Sequence, residues 1–359
     1  MFEILIAAII GYILIIELIV LVEREVSFRS AVYAFLYMLL LFAAAAANFE
    51  LEIFDQKFAA EYAYDVFKGR ESLRGNSTFI LQAIVGYPAF LVTDVWWAAI
   101  GTNIAVTTGV FYFVHKRSPV LSCAMLAPAI INFSMFSLRD PVIAVLAFAV
   151  CYLFFTPNSP LLWLKQSLTV GLFILIRPEN LAIFGYSKLL TVFNKHNRSA
   201  LLYLAFPFLI LVGVVITAFT PQMLGVEFGG SLSELPGAAN EFYESRATRW
   251  DETEGGGSNI LGGALPGLPI FIRFPIQVFT FFVLPLPFEI RKPSLALAFL
   301  DSIVFCYLYY RFHRNAQRDA LIVFWVYVFA VAFFGNNYGN VFRLRLPAYF
   351  IMLAGLLRK

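Results

Sequence analysis

Along the chain, apolar runs of roughly bilayer-crossing length alternate with polar connectors. The runs fall at about Phe2 to Val22, Ala31 to Ala47, Trp96 to Val114, Val120 to Phe136, Val142 to Phe155 and Leu161 to Ile176. They resume at about Leu181 to Phe193, Leu201 to Phe219, Leu295 to Tyr310, Ala320 to Phe334 and Leu346 to Leu357. The pattern predicts an all-α, polytopic transmembrane bundle of about eleven spans. Two further apolar stretches read as re-entrant or outer-surface helices. Phe79 to Val92 is broken by Gly86-Tyr87-Pro88, and Leu268 to Phe288 carries Arg273, Pro269, Pro275, Pro285 and Pro287, a poor composition for a lipid-exposed span.

Orientation follows from the basic connectors: Arg24 and Arg29, His115-Lys116-Arg117, Lys195-His196-Asn197-Arg198, Arg311 through Arg318, and Arg358-Lys359. The positive-inside rule places all of them in the cytoplasm, which requires an even number of crossings between Arg29 and His115. Two long polar connectors then fall on the outer face, at about 48–77 and 220–266. The first holds Asp55, Glu61 and Asp65; the second holds Arg246 and Arg249, followed by Gly255-Gly256-Gly257-Ser258, which reads as a surface loop or a lid hinge.

Composition agrees with a membrane class. Of 359 residues, 60% are hydrophobic, 14% are charged and 40 are phenylalanine. The net charge of +3 is small and suggests no nucleic-acid partner. Cys123, Cys151 and Cys306 lie in apolar runs without CxxC spacing and read as packing residues. Glu3 replaces a basic leader region, so the first run is expected to be a retained span of one integral membrane domain, residues 1–359.

Charge inside this pattern is the main chemical signal. Arg139-Asp140 stands between two apolar runs; Arg177-Pro178-Glu179 and Arg343-Leu344-Arg345 repeat the placement. An arginine at membrane depth costs about 2.5–3.5 kcal/mol on insertion scales, so it is expected to face a polar cavity and a partner. Structural readings compete. Arg139 with Asp140, or Arg177 with Glu179, could close a helix hairpin, since Pro141 and Pro178 suit helix starts. Arg343 and Arg345 could snorkel to lipid phosphates, and Asp55 could be a solvated loop carboxylate.

All three histidines lie on connectors assigned to the cytoplasm, which leaves guanidinium, carboxylate, tyrosine and backbone for outer-face chemistry. No HExxH, Walker A or GxGxxG pattern is present, and no metal or cofactor is expected. Arginine forks suit a lipid diphosphate. Glycosyl transfer from such a lipid needs its leaving-group charge stabilised and an acceptor hydroxyl positioned or deprotonated; Asp55, Asp140 or Glu179 could serve the second need.

The polar first outer loop, the short stretch Ser77-Thr78-Phe79-Ile80-Leu81 and above all Asn132-Phe133-Ser134-Met135-Phe136-Ser137-Leu138-Arg139-Asp140-Pro141-Val142-Ile143-Ala144 resemble the EpsG and Wzy-type polysaccharide polymerases. In those, an arginine, a polar residue, two further positions and Ile-Ala open an outer-face helix. The closing Gly335-Asn336-Asn337-Tyr338 to Arg343-Leu344-Arg345-Leu346-Pro347 is similar to their arginine-bearing end. The resemblance is one of layout over most of the chain. It implies a GT-C-like glycosyltransferase of the bacterial inner membrane, acting on undecaprenyl-diphosphate-linked oligosaccharide at the periplasmic face. Arg139, Arg177, Arg343, Arg345, Arg246 and Arg249 would hold the diphosphate. Implied partners are membrane lipid and a chain-length regulator or other polysaccharide-assembly proteins. The chain departs from the family pattern at Asp140, where a polar-glutamine pair is expected, and at Arg177-Pro178, in place of a histidine-serine step. Two alternatives stay open: a GT-C enzyme using a polyprenyl-monophosphate sugar, with Asp55 early in the first loop, and a flippase or transporter of lipid-linked glycans.

Overall fold

The computed structural model describes residues 1–23, 25–48, 64–69, 95–135, 140–154, 270–290, 293–332 and 338–358, with isolated positions such as Glu61, Phe90 and Thr191. Every regular element among the described residues is helical. The longer ones are α1 (Phe2–Glu23), α2 (Phe28–Ala47), α3 (Ala99–Arg117), α4 (Pro128–Ser134), α5 (Asp140–Phe154), α6 (Ile270–Val283), α7 (Pro293–Asn315), α8 (Arg318–Ala332) and α9 (Tyr338–Leu356). The apolar runs expected at Phe79 to Val92, Leu161 to Ile176, Leu181 to Phe193 and Leu201 to Phe219 lie outside the described residues apart from isolated positions.

Two expectations from hydropathy are corrected. Val120 to Phe136 is not one spanning helix; a turn at Pro119–Ser122, a 3₁₀ turn at Cys123–Leu126 and α4 follow in succession. Pro128 is the cause. Proline disfavours helical backbone in the residue before it, and Ala127 is extended, with φ −56° and ψ 135°. Pro128 itself opens α4, where its missing N–H is harmless. The final run also starts earlier than Leu346. α9 begins at Tyr338, so Arg343 and Arg345 lie inside it. Pro347 removes one amide donor but does not end the helix, and Tyr327 Oη of α8 donates to the adjacent Leu344 carbonyl at 2.9 Å.

The chain packs as two units, Met1–Pro178 with Leu308–Ala316 and Tyr349–Lys359, and Glu179–Tyr307 with Gln317–Ala348. In the first, α1 and α3 cross at backbone contact. A Cβ added at Gly101 would stand 2.5 Å from the Ile4 carbonyl oxygen and 2.7 Å from Ala7 Cβ; one at Gly11 would stand 2.7 Å from Ala105 Cβ. Gly101, Ala105 and Gly109 recur every four residues, the small-residue spacing by which apolar helices approach closely in lipid. α2 joins through Tyr37, whose ring stacks on Phe111 at 4.3 Å and whose hydroxyl donates to the Met125 carbonyl at 2.8 Å.

One end of this unit gathers basic connectors. Lys116 Nζ donates to the Glu25 carbonyl at 2.9 Å, His115 Nδ1 is 3.0 Å from Ser30 Oγ, and the Ser27 amide donates to Tyr112 Oη at 3.1 Å. The other end of α2 is marked by Asn48, whose amide reaches Met135 Sδ at 3.6 Å. Asn48 and Met135 therefore share the end opposite to Lys116.

The second unit has an aromatic core of Phe281, Phe282, Phe305, Phe324 and Trp325, with neighbouring ring centroids 5.6–6.5 Å apart. Two of its helices bury polar groups beside that core and leave apolar groups exposed. α7 buries Asp301 and Ser302 but exposes Leu297, Leu300, Ile303 and Tyr307. α6 buries Arg273, Gln277 and Thr280, spaced at i, i+4 and i+7, and exposes Ile272 and Phe279. Two helices of the described chain, Phe28–Ala47 and Leu295–Asn315, are long and apolar enough to cross a bilayer. With 14 residues, α6 is about 21 Å long, short of a full crossing.

Candidate functional site

In the first unit one group of buried polar residues lies towards the end that holds Asn48. α3 buries Thr102, Asn103, Thr107 and Thr108 along one stretch. Thr107 Oγ1 is 3.0 Å from Ser134 Oγ, and Ser134 in turn donates to the Ile130 carbonyl at 2.6 Å. Five residues beyond Met135, Asp140 opens α5 and is 4% exposed. A carboxylate in a first turn is favoured by the helix dipole and its outward amides. Asp140 is thus a buried carboxylate in the first turn of α5.

The second unit centres on Arg345, which is wholly buried. Its Nε donates to the Phe281 carbonyl at 2.6 Å and Nη2 to the Leu284 carbonyl at 2.9 Å. Nη1 donates to Ser302 Oγ at 2.8 Å and lies 3.4 Å from Asp301 Oδ2, also wholly buried. The rings of Phe305 and Phe342 stand 5.5 and 5.3 Å from its guanidinium carbon.

The cluster answers a need at one helix end. α6 ends at Val283, and its last carbonyls need donors that Pro285 and Pro287 cannot supply. Arg345 from α9 and Cys306 from α7, whose Sγ reaches the Phe282 carbonyl at 3.3 Å, supply them instead. Ser302 Oγ also contacts the Leu284 carbonyl. One guanidinium therefore ties together the C-terminus of α6, the middle of α7 and the first half of α9. Arg343, two residues earlier, points from the opposite side of α9 and is half-buried.

Of the site residues expected from the sequence, Asp140, Arg343 and Arg345 are described. Asp55, Arg139, Arg177, Glu179, Arg246 and Arg249 lie outside the described residues. Arg343 and Arg345 share a helix but not a face. Sequence reasoning missed Asp301 and did not count Arg273 among the site residues. The signal for Asp301 is present, since it is a lone acid within the apolar run Leu295 to Tyr310. Among the described residues no three of His, Cys, Asp and Glu converge as metal ligands would.

Comparison with known proteins yields no match to a family model, a curated protein or a solved structure.

Proposed function

We propose that the chain is a multi-pass protein of the bacterial inner membrane, GT-C-like in its use of helices. Its proposed reaction polymerises or transfers oligosaccharide carried on undecaprenyl diphosphate at the outer face. The observation that carries the membrane part lies on α6 and α7: Ile272, Phe279, Leu297, Leu300 and Ile303 are exposed, while Arg273, Gln277, Asp301 and Ser302 are buried beside the aromatic core. A helix in water adopts the reverse, and ionisable groups kept inside apolar helices mark substrate paths.

In this reading Arg139, Arg177 and Arg343 hold the leaving diphosphate, with Arg246 and Arg249 available from the second long connector. The forks neutralise charge as the glycosidic oxygen departs. Asp140, Glu179 or Asp55 orients the acceptor hydroxyl and takes its proton. Arg345, with four hydrogen bonds to protein, serves by fixing the helix that presents Arg343.

A gene deletion followed by gel analysis of surface polysaccharide tests the activity. Loss of long chains with single repeat units retained supports a polymerase. Loss of all surface units points to a flippase or an earlier transferase, and an unchanged ladder removes the chain from polysaccharide assembly.

A further inference from the structure

Two exposed helix stripes run through the same series of residue types in opposite chain directions. On α2 the exposed residues Arg29, Tyr33, Leu36 and Leu40 fall at i, i+4, i+7 and i+11, along one face of the helix. On α7 the exposed residues Leu300, Ile303, Tyr307, Tyr310 and Arg314 fall at i, i+3, i+7, i+10 and i+14, again along one face. Each stripe passes from aliphatic side chains through tyrosine to arginine. In both, the arginine lies back over the neighbouring tyrosine. The Arg29 guanidinium carbon is 5.8 Å from the Tyr33 ring centroid, and that of Arg314 is 5.2 Å from the Tyr310 centroid, with Arg314 Nη1 donating to Tyr310 Oη at 2.6 Å. Among the described residues these two helices are the ones long and apolar enough to cross a bilayer.

We propose that both stripes face lipid and that each tyrosine–arginine pair marks the edge of the hydrocarbon core, where the arginine meets the headgroup phosphates of an anionic leaflet. The order of residue types is the order a leaflet presents: acyl chain, then the zone where tyrosine settles, then phosphate. The lengths fit. Along the helix axis Leu40 lies about 16 Å from Arg29 and Leu300 about 21 Å from Arg314, against about 15 Å for the hydrocarbon of one leaflet and about 20 Å with its headgroups. A second copy of the chain would account for exposed aliphatic residues but not for one graded order repeated on two helices. The helix dipole does not account for the arginines either. It favours Arg314 in the last turn of α7, but it opposes Arg29 in the first turn of α2, which holds no acid. Headgroup phosphate attracts both. The two pairs lie beside connectors whose basic residues assign them to the cytoplasm, so the leaflet is the inner one. The proposal rests on the membrane part of the proposed function and involves none of the groups assigned to the diphosphate.

The test uses the full chain reconstituted in vesicles of phosphatidylcholine and phosphatidylglycerol. Nitroxides are attached singly to Glu25→Cys, Leu40→Cys, Leu300→Cys and His313→Cys in a background carrying Cys123→Ala, Cys151→Ala and Cys306→Ala. Labels at 40 and 300 should be relaxed more by oxygen than by a water-soluble nickel chelate, and labels at 25 and 313 the reverse. Relaxation by the nickel chelate at 40 or 300 overturns the proposal. Shielding of those two positions from both reagents also overturns it, because a second copy or another protein then covers the stripes. A second measurement leaves the native cysteines in place and follows spin-labelled phosphatidylglycerol and phosphatidylcholine at the surface of the chain. Averaged over its boundary lipids, wild type should prefer phosphatidylglycerol about twofold. Arg29→Gln/Arg314→Gln should lower that preference, and Arg29→Lys/Arg314→Lys should retain it. An equal preference in wild type and the glutamine variant overturns the proposal, and this measurement decides alone should the cysteine-free chain fail to fold. A chain found outside the membrane fraction would overturn this proposal and the membrane reading together; a membrane-embedded chain with any of the contrary results above overturns this proposal alone.

Discussion

Arg345 and Asp301 meet inside the second unit at 3.4 Å, both wholly buried and 44 residues apart in sequence. Their contact is longer than three further hydrogen bonds of Arg345, which go to two carbonyls and a hydroxyl. The guanidinium is therefore held mainly by neutral acceptors at the end of α6, with Asp301 supplying the balancing charge. Removing one partner of a buried pair costs about 3–5 kcal/mol. Arg345→Met should be the more damaging change, because it takes a donor from each of the Phe281 and Leu284 carbonyls and the positive charge from beside Asp301. Asp301→Asn keeps an acceptor beside Nη1 and should be milder. Thermal unfolding in detergent should give that order, and equal midpoints for wild type and Arg345→Met would rule out the clamp.

Arg343 and Arg345 should separate by phenotype. Arg345→Lys loses the fork that spans several acceptors and should lower the folded yield. Arg343→Lys keeps charge on the half-buried side of α9 and should leave yield near normal while chain elongation falls by about tenfold or more, the loss of a bidentate phosphate contact being worth about 1.5–3 kcal/mol. Assaying both variants for protein level and polysaccharide length decides the matter. Normal elongation in Arg343→Lys would exclude Arg343 from diphosphate binding.

The approach of α1 to α3 predicts a graded glycine series. At Gly101 an added methyl meets the Ile4 carbonyl and the Ala8 amide, both backbone, so the helices must part. At Gly109 it meets Ile15 Cγ2 at 2.5 Å, a side chain that can turn aside. Gly101→Ala should destabilise by about 1–3 kcal/mol, as overpacking does, and Gly109→Ala by less. Unfolding midpoints check the order; a larger loss at Gly109 would contradict the close crossing.

How much of this was legible in the sequence depended on the range of the cause. The limits of α1, α2 and α5 follow from local apolar runs and stand within a few residues of the expected ones. Pro128 was equally visible, but hydropathy alone counts Val120 to Phe136 as one run and is blind to the backbone break at Ala127. The Arg345 cluster depends on α6, α7 and α9 meeting in three dimensions, which no local pattern encodes. Arginines at run boundaries drew attention to Arg345 as a ligand-binding group, whereas its donors are directed at a helix end left uncapped by Pro285 and Pro287. Pro141 suggested a helix start beside Asp140, and α5 begins there. The placement of Arg139, Arg177, Glu179 and Asp55 lies outside the described residues.

His115 gives a pH dependence with a definite sign. It sits in the last turn of α3, between the rings of Tyr33 at 4.9 Å and Phe111 at 5.8 Å. Burial first, and the Arg29 charge second, hold its pKa below the ordinary histidine value of about 6.5. In the window between the lowered folded value and about 6.5, the unfolded chain binds more protons, so stability rises with pH there. The contribution is intact above about pH 6.5 and is lost as pH falls through the folded value. Unfolding midpoints taken across that window should drop on acidification, and the drop should shrink in His115→Gln. An identical slope in that variant would assign the pH effect elsewhere.

The central claim is that outer-face arginines bind the diphosphate of a lipid-linked glycan while a carboxylate activates the acceptor. Its most direct measurement follows undecaprenyl diphosphate release and glycan length together, using purified protein supplied with undecaprenyl-diphosphate-linked oligosaccharide. Wild type should release one undecaprenyl diphosphate for each repeat unit joined. Arg139→Lys, expressed at normal level, should lose both signals in step, and Asp140→Asn should reduce chain growth without abolishing lipid binding. Chain growth in Arg139→Lys at the wild-type rate, or no diphosphate release from wild type, would contradict the account.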